Sequence, residues 1–447
     1  MPEGFVSALA WNCYKLDTSS DHGPPTGLVY KQIKPSSMKT LRIEETEPTG
    51  EQTIQLAEEL GKNGVTVDSK SRELLAVAVA GSASGIRAEK GTMQAASPIS
   101  PTFALMQNMI GIQRSANPPD LGGILEKIYA HGLSLHAGPV PGASERWMKA
   151  AKIRCDSDPL LNAMDRSVRA VTFGNRLNEE GPRLASPIAD LPNTPFEWFR
   201  ENWDLITSPV WVSALPARVW ADWTMTVLRL GYALSFLWEA EWYMQLARNA
   251  LDNKIVPWTM AVGEVRTIIP WASMDSSVSV RDVSSVLKWK VHRGAAVRKL
   301  LVDWQKAGEF LDMNFEESCR RLSQPDMTSK LQEALSTRKA HAPLVWEAIR
   351  YTLMTRENSG GNSDYYGMLR SSGRYLTVEP GTEWVTVVAS LTCIQPDNEA
   401  NVADLMQSFQ KMGLSPELSD VIEMLERAGL ARGSADADQG VRIQSAF

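Results

Sequence analysis

Tryptophan is concentrated in one part of the chain, since eleven of the fifteen tryptophans lie between Trp198 and Trp304. Indole side chains are large and mainly apolar, so a segment with this many of them folds stably only if it buries most of them. Their spacing is helical; for example, Trp242 follows Trp238 by four positions, which is about one helical turn. The segment therefore predicts a large helical body with tryptophans in its core. Stacking platforms for bases or sugars are the alternative use of some of these rings.

The longest apolar stretch, residues 215–253, is apolar on most faces, which predicts a central helix. Its most apolar part, residues 228–247, is interrupted by Arg229, Glu239 and Glu241, whereas a membrane span needs about 20 nearly uncharged residues. We therefore expect a helix inside a soluble core. Glu239 and Glu241 lie about 200° apart around such a helix, so they cannot act as a directly paired acid and base. We expect one of them to be buried against Arg229 or Arg248 and the other to be solvated.

The composition is that of a soluble globular protein, with 43% hydrophobic and 22% charged residues in a chain of 447. The formal net charge of −6 excludes a global positive field that would attract nucleic acid or acidic membranes. The first residues, MPEGFVSALAWNCYKLD, lack the basic and apolar regions of a secretory signal. Four cysteines without a close pair are too few for a disulfide scaffold, so we expect free thiols and a cytoplasmic protein.

The local patterns predict a mainly α (α+β) fold with several regions. The first region is mixed, because GLVYKQIKP and MKTLRIEET are typical of short strands and GEQTIQLAEEL is typical of a helix. A polar, glycine-rich stretch around Gly360 predicts a linker. The predicted regions are a mixed α/β N-terminal region at 1–192, a Trp-rich helical domain at 193–356, a linker at 357–372 and a C-terminal domain at 373–447.

The C-terminal region carries the clearest local pattern. Pro380 precedes apolar residues at helical spacing, although their β-branched run also fits a strand. The apolar residues of 402–409 recur at i, i+3, i+4 and i+7, which predicts a helix that ends at Gly413. Ser415 is expected to cap the following helix, with Pro416 in its first turn.

The last helix of this region is followed by two segments that can form a β-hairpin. The apolar face of the last helix consists of Leu418, Val421, Ile422 and Leu425. Gly429 ends this helix, and the segments 430–432 and 441–443 can pair as two strands. Helix, helix, short turn, helix and β-hairpin over residues 380–447 resemble the winged-helix domain. The resemblance implies a small α+β domain of a family whose members often place the second helix of the turn motif in the DNA major groove.

The charges of this region argue against DNA binding. Residues 379–447 contain eleven acidic and four basic residues, a balance of −7. The acids of the helix that would enter the groove are Glu417, Asp420, Glu423 and Glu426. Affinity for DNA comes largely from cationic contacts with phosphates, which these acids would repel. The winged-helix family is also used for protein–protein docking, so we predict that the four acids dock a partner protein. A purely structural cap and DNA contact through Arg432 and Arg442 are the alternatives.

Residues 281–299 form a strongly basic segment with a balance of +5. Its cations are Arg281, Lys288, Lys290, Arg293, Arg298 and Lys299. A basic amphipathic helix here is a candidate to hold phosphates, RNA or DNA, or an acidic partner surface, including the acidic C-terminal region itself. The simpler interpretation is a solvated helix face whose aliphatic stems cover the core.

The sequence shows no residue pattern typical of a catalytic, metal or cofactor site. The stretch Gly81–Gly85 lacks the Gly-Lys-Ser/Thr of a phosphate loop. His131 and His136 are five residues apart, which does not match a zinc-binding helix. We therefore predict no catalytic residue, no metal and no cofactor. An enzyme whose pocket is assembled from distant residues is the alternative, because such a site leaves no motif.

The segment GRYLTVEPGTEWVTVVASL, which leads into the winged-helix-like part, is similar to accessory subunits encoded with bacterial anti-phage defence ATPases and nucleases. This resemblance implies a role in assembling or regulating a DNA-targeting complex. We predict a non-catalytic adaptor or scaffold subunit of a bacterial multi-protein complex. Its expected partners are proteins, such as an ATPase or a nuclease of the same system, and not a membrane. Direct nucleic-acid binding through residues 281–299 is the second hypothesis.

Overall fold

Helices dominate the structure, a computed structural model, and its sheets contain two or three short strands each among the described residues. The predicted mainly α (α+β) fold is therefore confirmed. Within the described part of the chain, every helix is too short or too polar to cross a membrane. The structure describes residues 2–17, 31–32, 50–84, 97–108, 120–308, 315–355, 364–433 and 440–447.

The residue contacts divide the chain into two compact units. Unit 1 comprises Met1–Ile188, Glu201–Arg229 and Phe447, and unit 2 comprises Ala189–Arg200 and Leu230–Ala446. The four regions predicted from the sequence, with boundaries at 192, 356 and 372, stay a prediction.

The first half of the chain forms ten helices and six short strands among the described residues. The helices are α1 (Pro2–Trp11), α2 (Gly50–Lys62), α3 (Ser69–Ser84), α4 (Pro101–Leu105), α5 (Leu121–His131), α6 (Ala143–Ser157), α7 (Pro159–Thr172), α8 (Pro195–Ile206), α9 (Pro209–Ala214) and α10 (Ala217–Leu251). The strands are β1 (Tyr14–Leu16), β2 (Lys31–Gln32), β3 (Gln107–Asn108), β4 (Val140–Pro141), β5 (Leu177–Glu179) and β6 (Leu184–Ala185). They pair as β1–β5 and β4–β6, both antiparallel, and as β2–β3, parallel. Residues of α8 and α10 belong to both units.

The predicted elements near the N-terminus are only partly described. Helix α2 confirms the helix predicted for GEQTIQLAEEL. Strand β2 falls within GLVYKQIKP, whereas the rest of that segment and all of MKTLRIEET lie outside the described residues.

Indole packing builds the core of unit 1. The rings of Trp147 and Trp220 stack with their centroids 6.1 Å apart. Two indole N–H groups donate to backbone carbonyls, Trp203 to Ala143 at 3.1 Å and Trp220 to Ile206 at 3.0 Å. Each of these two rings thus buries a large apolar area without leaving its one donor unpaired, which would otherwise oppose its burial.

Unit 2 is built on the second part of α10 and the helices that follow it. These helices are α11 (Trp258–Glu264), α12 (Ser284–Lys306), α13 (Phe315–Leu322), α14 (Pro325–Ser336), α15 (Pro343–Leu353), α16 (Thr382–Thr392), α17 (Val402–Lys411) and α18 (Leu418–Arg427). The strands are β7 (Leu369–Ser372), β8 (Tyr375–Val378), β9 (Glu399–Asn401), β10 (Ala431–Gly433) and β11 (Val441–Gln444). Strands β7 and β8 form a hairpin, and the order β10-β11-β9 forms a three-stranded antiparallel sheet.

Helices α10 and α12 approach each other so closely that one contact has no room for a side chain. A Cβ atom on Gly294 of α12 would lie 2.6 Å from the Cα atom and the carbonyl oxygen of Ala240 on α10. Beyond this contact, an apolar cluster joins α10, α12, α13 and α14. Its buried members are Ala247, Ala250, Val297, Trp304, Leu322, Met327 and Leu331.

The predicted central helix is confirmed, because α10 runs without a break through most of 215–253. Gly231 within it meets an aromatic ring, since a Cβ atom there would lie 2.3 Å from Cδ2 of Phe199. Nine of the eleven tryptophans between Trp198 and Trp304 are at most 9% exposed, so their predicted burial is confirmed. Trp258 and Trp289 are the two that stay half-buried.

The C-terminal elements follow the predicted order with two differences. As predicted, the segment after Pro380 forms a helix, α16, and not the alternative strand. Helix α17 also ends before Gly413 as predicted, and the φ of Gly413 is +74°. The first difference concerns the start of the next helix. The following helix begins at Leu418 instead of next to Ser415. Before that helix, Leu414 forms a parallel bridge with Ile269, and the carbonyl oxygen of Gly413 accepts a hydrogen bond from the amide of Ile268.

The second difference concerns strands. The pairing of the segments near 431 and 441 is confirmed by β10 and β11. Strand β9, which completes their sheet, carries only three residues and no strand pattern of its own. Residues 369–372, at the end of the predicted linker 357–372, form strand β7. Residues 357–363 of that linker lie outside the described residues.

Substituting Gly294 tests the helix contact. We expect Gly294→Ala to lower the free energy of unfolding by about 1–3 kcal/mol, because the new methyl group meets backbone atoms that cannot rotate away. Gly263→Ala on α11 is the matched control, since a Cβ atom there meets nothing within 4 Å. The control is expected to be neutral or to stabilise by up to about 1 kcal/mol. Urea unfolding measures both, and equal effects of the two substitutions would contradict the close approach.

Candidate functional site

The six cations predicted as a phosphate-binding set do not share one face of α12. Successive residues of a helix are about 100° apart, so Lys288 and Lys299 fall on one side and Lys290 and Arg293 on another. Lys288 and Lys299 are exposed. Arg281 precedes the helix and lies 3.7 Å from Glu379, and Arg298 lies 3.4 Å from Glu239. The structure therefore divides the set and leaves no continuous basic stripe.

Lys290 is not a surface group, contrary to its place in the predicted set. It is 8% exposed, and its Nζ atom lies 2.8 Å from Oε2 of Glu241 on α10. It also donates a hydrogen bond of 2.6 Å to the carbonyl oxygen of Ile268. A buried ammonium group is stable only with such partners, since burial alone strongly disfavours its charge. Lys290 thus connects α12 to α10 and to the residues before α12.

Glu241 carries the negative charge of this arrangement. Its Oε1 atom accepts a hydrogen bond from Arg248 at 2.8 Å, so both carboxylate oxygens are paired. Burial alone would raise the pKa of Glu241, but the charges and hydrogen bonds of Lys290 and Arg248 outweigh it and hold the pKa below its ordinary value. Arg248 is one of the two partners expected for a buried glutamate of this stretch, so that expectation is confirmed.

Glu239, two residues away, lies in a different environment. Its side chain is 38% exposed, and its partner Arg298 is 60% exposed. Burial nevertheless raises the pKa of Glu239, and Arg298 only partly offsets this. The two glutamates thus face different neighbours, as their spacing predicts, and they form no acid–base pair.

A cavity of about 540 Å³ opens beside α12 in unit 2. We call it the α12 cavity. Its lining residues are Glu241, Met244, Arg248, Thr267, Pro270, Ser285, Val286, Trp289, Lys290 and Arg293. It brings together two cations of the predicted set, Lys290 and Arg293, with Arg248 from α10. The sequence does not reveal this grouping, because Arg248 is far from the basic segment along the chain.

The four acids predicted to dock a partner are also divided by the structure. Asp420 is 4% exposed and accepts a hydrogen bond of 3.1 Å from the amide of Met274, so it holds α18 in place and is not available to a partner. Glu417 and Glu426 are exposed. Glu423 is half-buried and forms an ion pair with Arg427 one helical turn away. Three of the four acids, Glu417, Glu423 and Glu426, thus remain at least partly accessible to solvent.

Leu418 and Ile422 of α18 are more exposed than their pattern predicts. Leu418 is 52% exposed and Ile422 is half-buried, although both belong to the predicted apolar face. The reason is that the inward side of α18 also carries Asp420 and Met424, which turns Leu418 and Ile422 to the edge of the buried side. Leu418, Ile422 and Glu426 follow one another at four-residue steps and therefore form one stripe along the helix.

A groove of about 1110 Å³ runs beside this stripe. We call it the α17–α18 groove. Its lining residues are Asn401, Val402, Ala403, Met406, Gln407, Gln410, Leu418, Ile422, Gly440, Val441 and Arg442. Arg442, the one cation in this lining, lies 3.1 Å from Glu399. The groove thus combines apolar side chains with amide groups, and Glu426 follows Ile422 one turn further along α18.

Residues 266–274, which we call the bridging segment, join α12 to the C-terminal elements. Ile268 receives the hydrogen bond of Lys290 and donates its own amide to the carbonyl oxygen of Gly413 at 2.9 Å. Trp271 packs against Phe409 of α17 with ring centroids 6.0 Å apart. Together with the contact of Asp420, these contacts attach the bridging segment to the set of elements α16–β11, described over residues 382–433 and 440–444. We call this set the C-terminal module.

The cysteines are not arranged for catalysis. Burial, assisted by nearby carboxylates, raises the pKa of Cys13 to about 12, and burial raises that of Cys393 to about 11. Burial also raises the pKa of Cys155 and of Cys319. These thiols are therefore protonated at neutral pH and poor nucleophiles. The described residues also contain no group of three His, Cys, Asp or Glu side chains suited to a metal ion.

Matched substitutions of the two glutamates test their different roles. We expect Glu241→Gln to lower the free energy of unfolding by about 3 kcal/mol, because it leaves the buried charge of Lys290 without its counter-ion. Glu239→Gln changes the same group two residues away and is expected to cost less than about 1 kcal/mol, because its ion pair is largely exposed. Urea unfolding at neutral pH measures both values. A cost for Glu239→Gln equal to that for Glu241→Gln would contradict the assignment.

The depressed pKa of Glu241 predicts a specific pH dependence. Its ion pairs contribute fully above its ordinary pKa of 4.5, and this contribution is lost as the pH falls through the lower folded-state value. The stability difference between the wild type and Glu241→Gln should therefore stay constant between neutral pH and pH 4.5 and then shrink. Urea unfolding over this pH range measures the difference, and a gap that widens on acidification would contradict it.

Comparison with known proteins assigns no family to the chain. No family model matches it, and no curated protein matches it in sequence. What the protein does must therefore follow from its own surfaces.

Proposed function

We propose that this protein is a non-catalytic adaptor whose C-terminal module docks a basic amphipathic segment of a partner protein. The observation that carries the proposal is the α17–α18 groove, whose lining includes Leu418 and Ile422 of α18, with the exposed Glu426 one helical turn beyond Ile422 on the same helix. A helix with one apolar and one basic face matches both features, because grooves bind such helices through apolar anchors. Charge complementarity then favours the correct partner and raises its association rate.

The order of elements supports a winged-helix-like module. Helices α16, α17 and α18 are followed by the β10–β11 hairpin, and β9 between α16 and α17 completes the sheet. In DNA-binding members of the family, the helix corresponding to α18 lies in the major groove. Here Glu417, Glu423 and Glu426 remain accessible on α18 or directly before it, and their carboxylates would repel the phosphates of DNA bound at this helix. Docking of a polypeptide is therefore the use that we propose for the module.

The apolar part of the groove gives the proposed interaction its anchor. Leu418 is one of the few large apolar side chains in unit 2 that are more than half exposed. Ile422 and Met406 lie next to it in the groove lining and are half-buried. Covering them with apolar side chains of a partner would remove apolar surface from water, which stabilises the complex by about 25 cal/mol per Å² before the costs of association. Membership of a bacterial defence complex stays a prediction.

A synthetic peptide probes the groove directly. A fluorescently labelled helix of leucine and lysine, arranged with one apolar and one basic face, should bind the full-length protein, and fluorescence anisotropy measures its Kd. Glu423→Lys with Glu426→Lys should weaken binding by roughly tenfold or more, because attraction at the rim becomes repulsion. Leu418→Ser should weaken it by several-fold through loss of the apolar contact.

Three controls separate docking from general charge attraction. Glu333→Lys with Glu347→Lys makes the same charge change at exposed positions of α14 and α15 and should leave Kd within about twofold. A scrambled peptide of equal composition, without an amphipathic face, should bind at least about tenfold more weakly. Duplex DNA should show no appreciable affinity at physiological salt. Equal binding of both peptides, or equal loss in both double variants, would overturn the proposal.

A further inference from the structure

The α12 cavity carries more positive than negative charge. Arg248, Lys290 and Arg293 line it, and Glu241 is the one acid in the same lining. This leaves two positive charges without a counterpart among the lining residues, in a protein whose net charge is −6. Cations gathered around a concave surface attract anions more strongly than the same charges on a flat surface, because the low-dielectric walls focus their field.

Arg293 is the cation of this lining that forms no ion pair with another described residue. Arg248 and Lys290 both contact Glu241. The Nε atom of Arg293 is buried without a hydrogen-bond partner in the described part of the chain, and the side chain is half-buried. Leaving a buried guanidinium N–H without a partner is unfavourable, and an anion bound in the cavity would supply one. The planar arrangement of the guanidinium donors suits two oxygens of one phosphate group.

The remaining lining is suited to a planar, apolar group. Met244, Pro270 and Val286 contribute apolar surface, and Trp289 stands one helical turn before Arg293. Trp289 is one of the two tryptophans between Trp198 and Trp304 that stay half-buried, and it belongs to the cavity lining, with the ammonium group of Lys288 5.7 Å from its ring centroid. Indole faces stack well on nucleobases, at about 1–3 kcal/mol per base. A volume of about 540 Å³ is also sufficient for a ligand of this size.

We propose that the α12 cavity binds a nucleotide, with the phosphate on Arg293 and the base against Trp289. Arg248 adds a second positive charge from α10, and Lys290 contributes to the field while it remains bonded to Glu241 and Ile268. This inference goes beyond the adaptor function and does not depend on it. A free nucleotide and the terminal nucleotide of a single strand both offer a base and a phosphate group. The experiment therefore includes one probe of each kind.

Isothermal titration calorimetry of the full-length protein with AMP tests the proposal. We expect one site per chain. Adenosine, which lacks the phosphate, and ribose 5-phosphate, which lacks the base, should each bind at least about tenfold more weakly, because each loses one half of the contacts. Arg293→Gln should weaken AMP binding by roughly tenfold or more and leave the weak binding of adenosine unchanged.

Arg298→Gln on the same helix is the matched control. Arg298 pairs with Glu239 and lies outside the cavity lining, so its loss should leave the Kd of AMP within about twofold. Thermal unfolding of both variants verifies that they fold. A single-stranded oligonucleotide with a 5′ phosphate forms the second arm, and tighter binding than AMP would identify a strand end as the source. Failure of both AMP and the oligonucleotide to bind, or an equal loss in both variants, would overturn the proposal.

Discussion

Unit 2 depends on one buried ammonium group. The Nζ atom of Lys290 lies between the carboxylate of Glu241 on α10 and the carbonyl oxygen of Ile268 in the bridging segment. A charge this deeply buried requires both partners, so α10, α12 and the bridging segment are held in one relative position. Because Ile268 also bonds to Gly413, the same constraint reaches the C-terminal module.

Apolar periodicity predicts most of the helices, because the i, i+3, i+4 spacing of a helix can be recognised from residues that are close together in the sequence. The central helix α10 and the helices α12 and α17 are examples. Charge patterns are less informative, because they assign charged side chains to the surface by default. Lys290 and Asp420 are exceptions, and their partners Glu241 and Met274 are distant along the chain. Strand β9 escapes prediction for the same reason, since only its pairing with β11 makes it a strand.

The two candidate sites are also predictable to different degrees. The acids of α18 and the cations of α12 are visible as local charge runs, although each run loses a member to the interior. The cavity and the groove are not visible, because they depend on which sides of the helices turn inward. Leu418 illustrates this, since its position in the repeat indicates burial whereas Asp420, bonded to Met274, turns it outward. One unit thus contains a groove with an apolar and amide lining and a cavity whose lining has more cations than acids.

The contact between Gly294 and Ala240 has a consequence for recognising distant relatives of this chain. A Cβ atom at position 294 would meet backbone atoms of α10, so no smaller side chain at position 240 makes room for it. At most core positions, a larger side chain can be accommodated by a smaller one at a neighbouring position. At position 294 no such compensating substitution is available. A glycine at the middle of a basic helix, opposite a small residue of a long apolar helix, is therefore a marker that should persist after overall sequence similarity has disappeared.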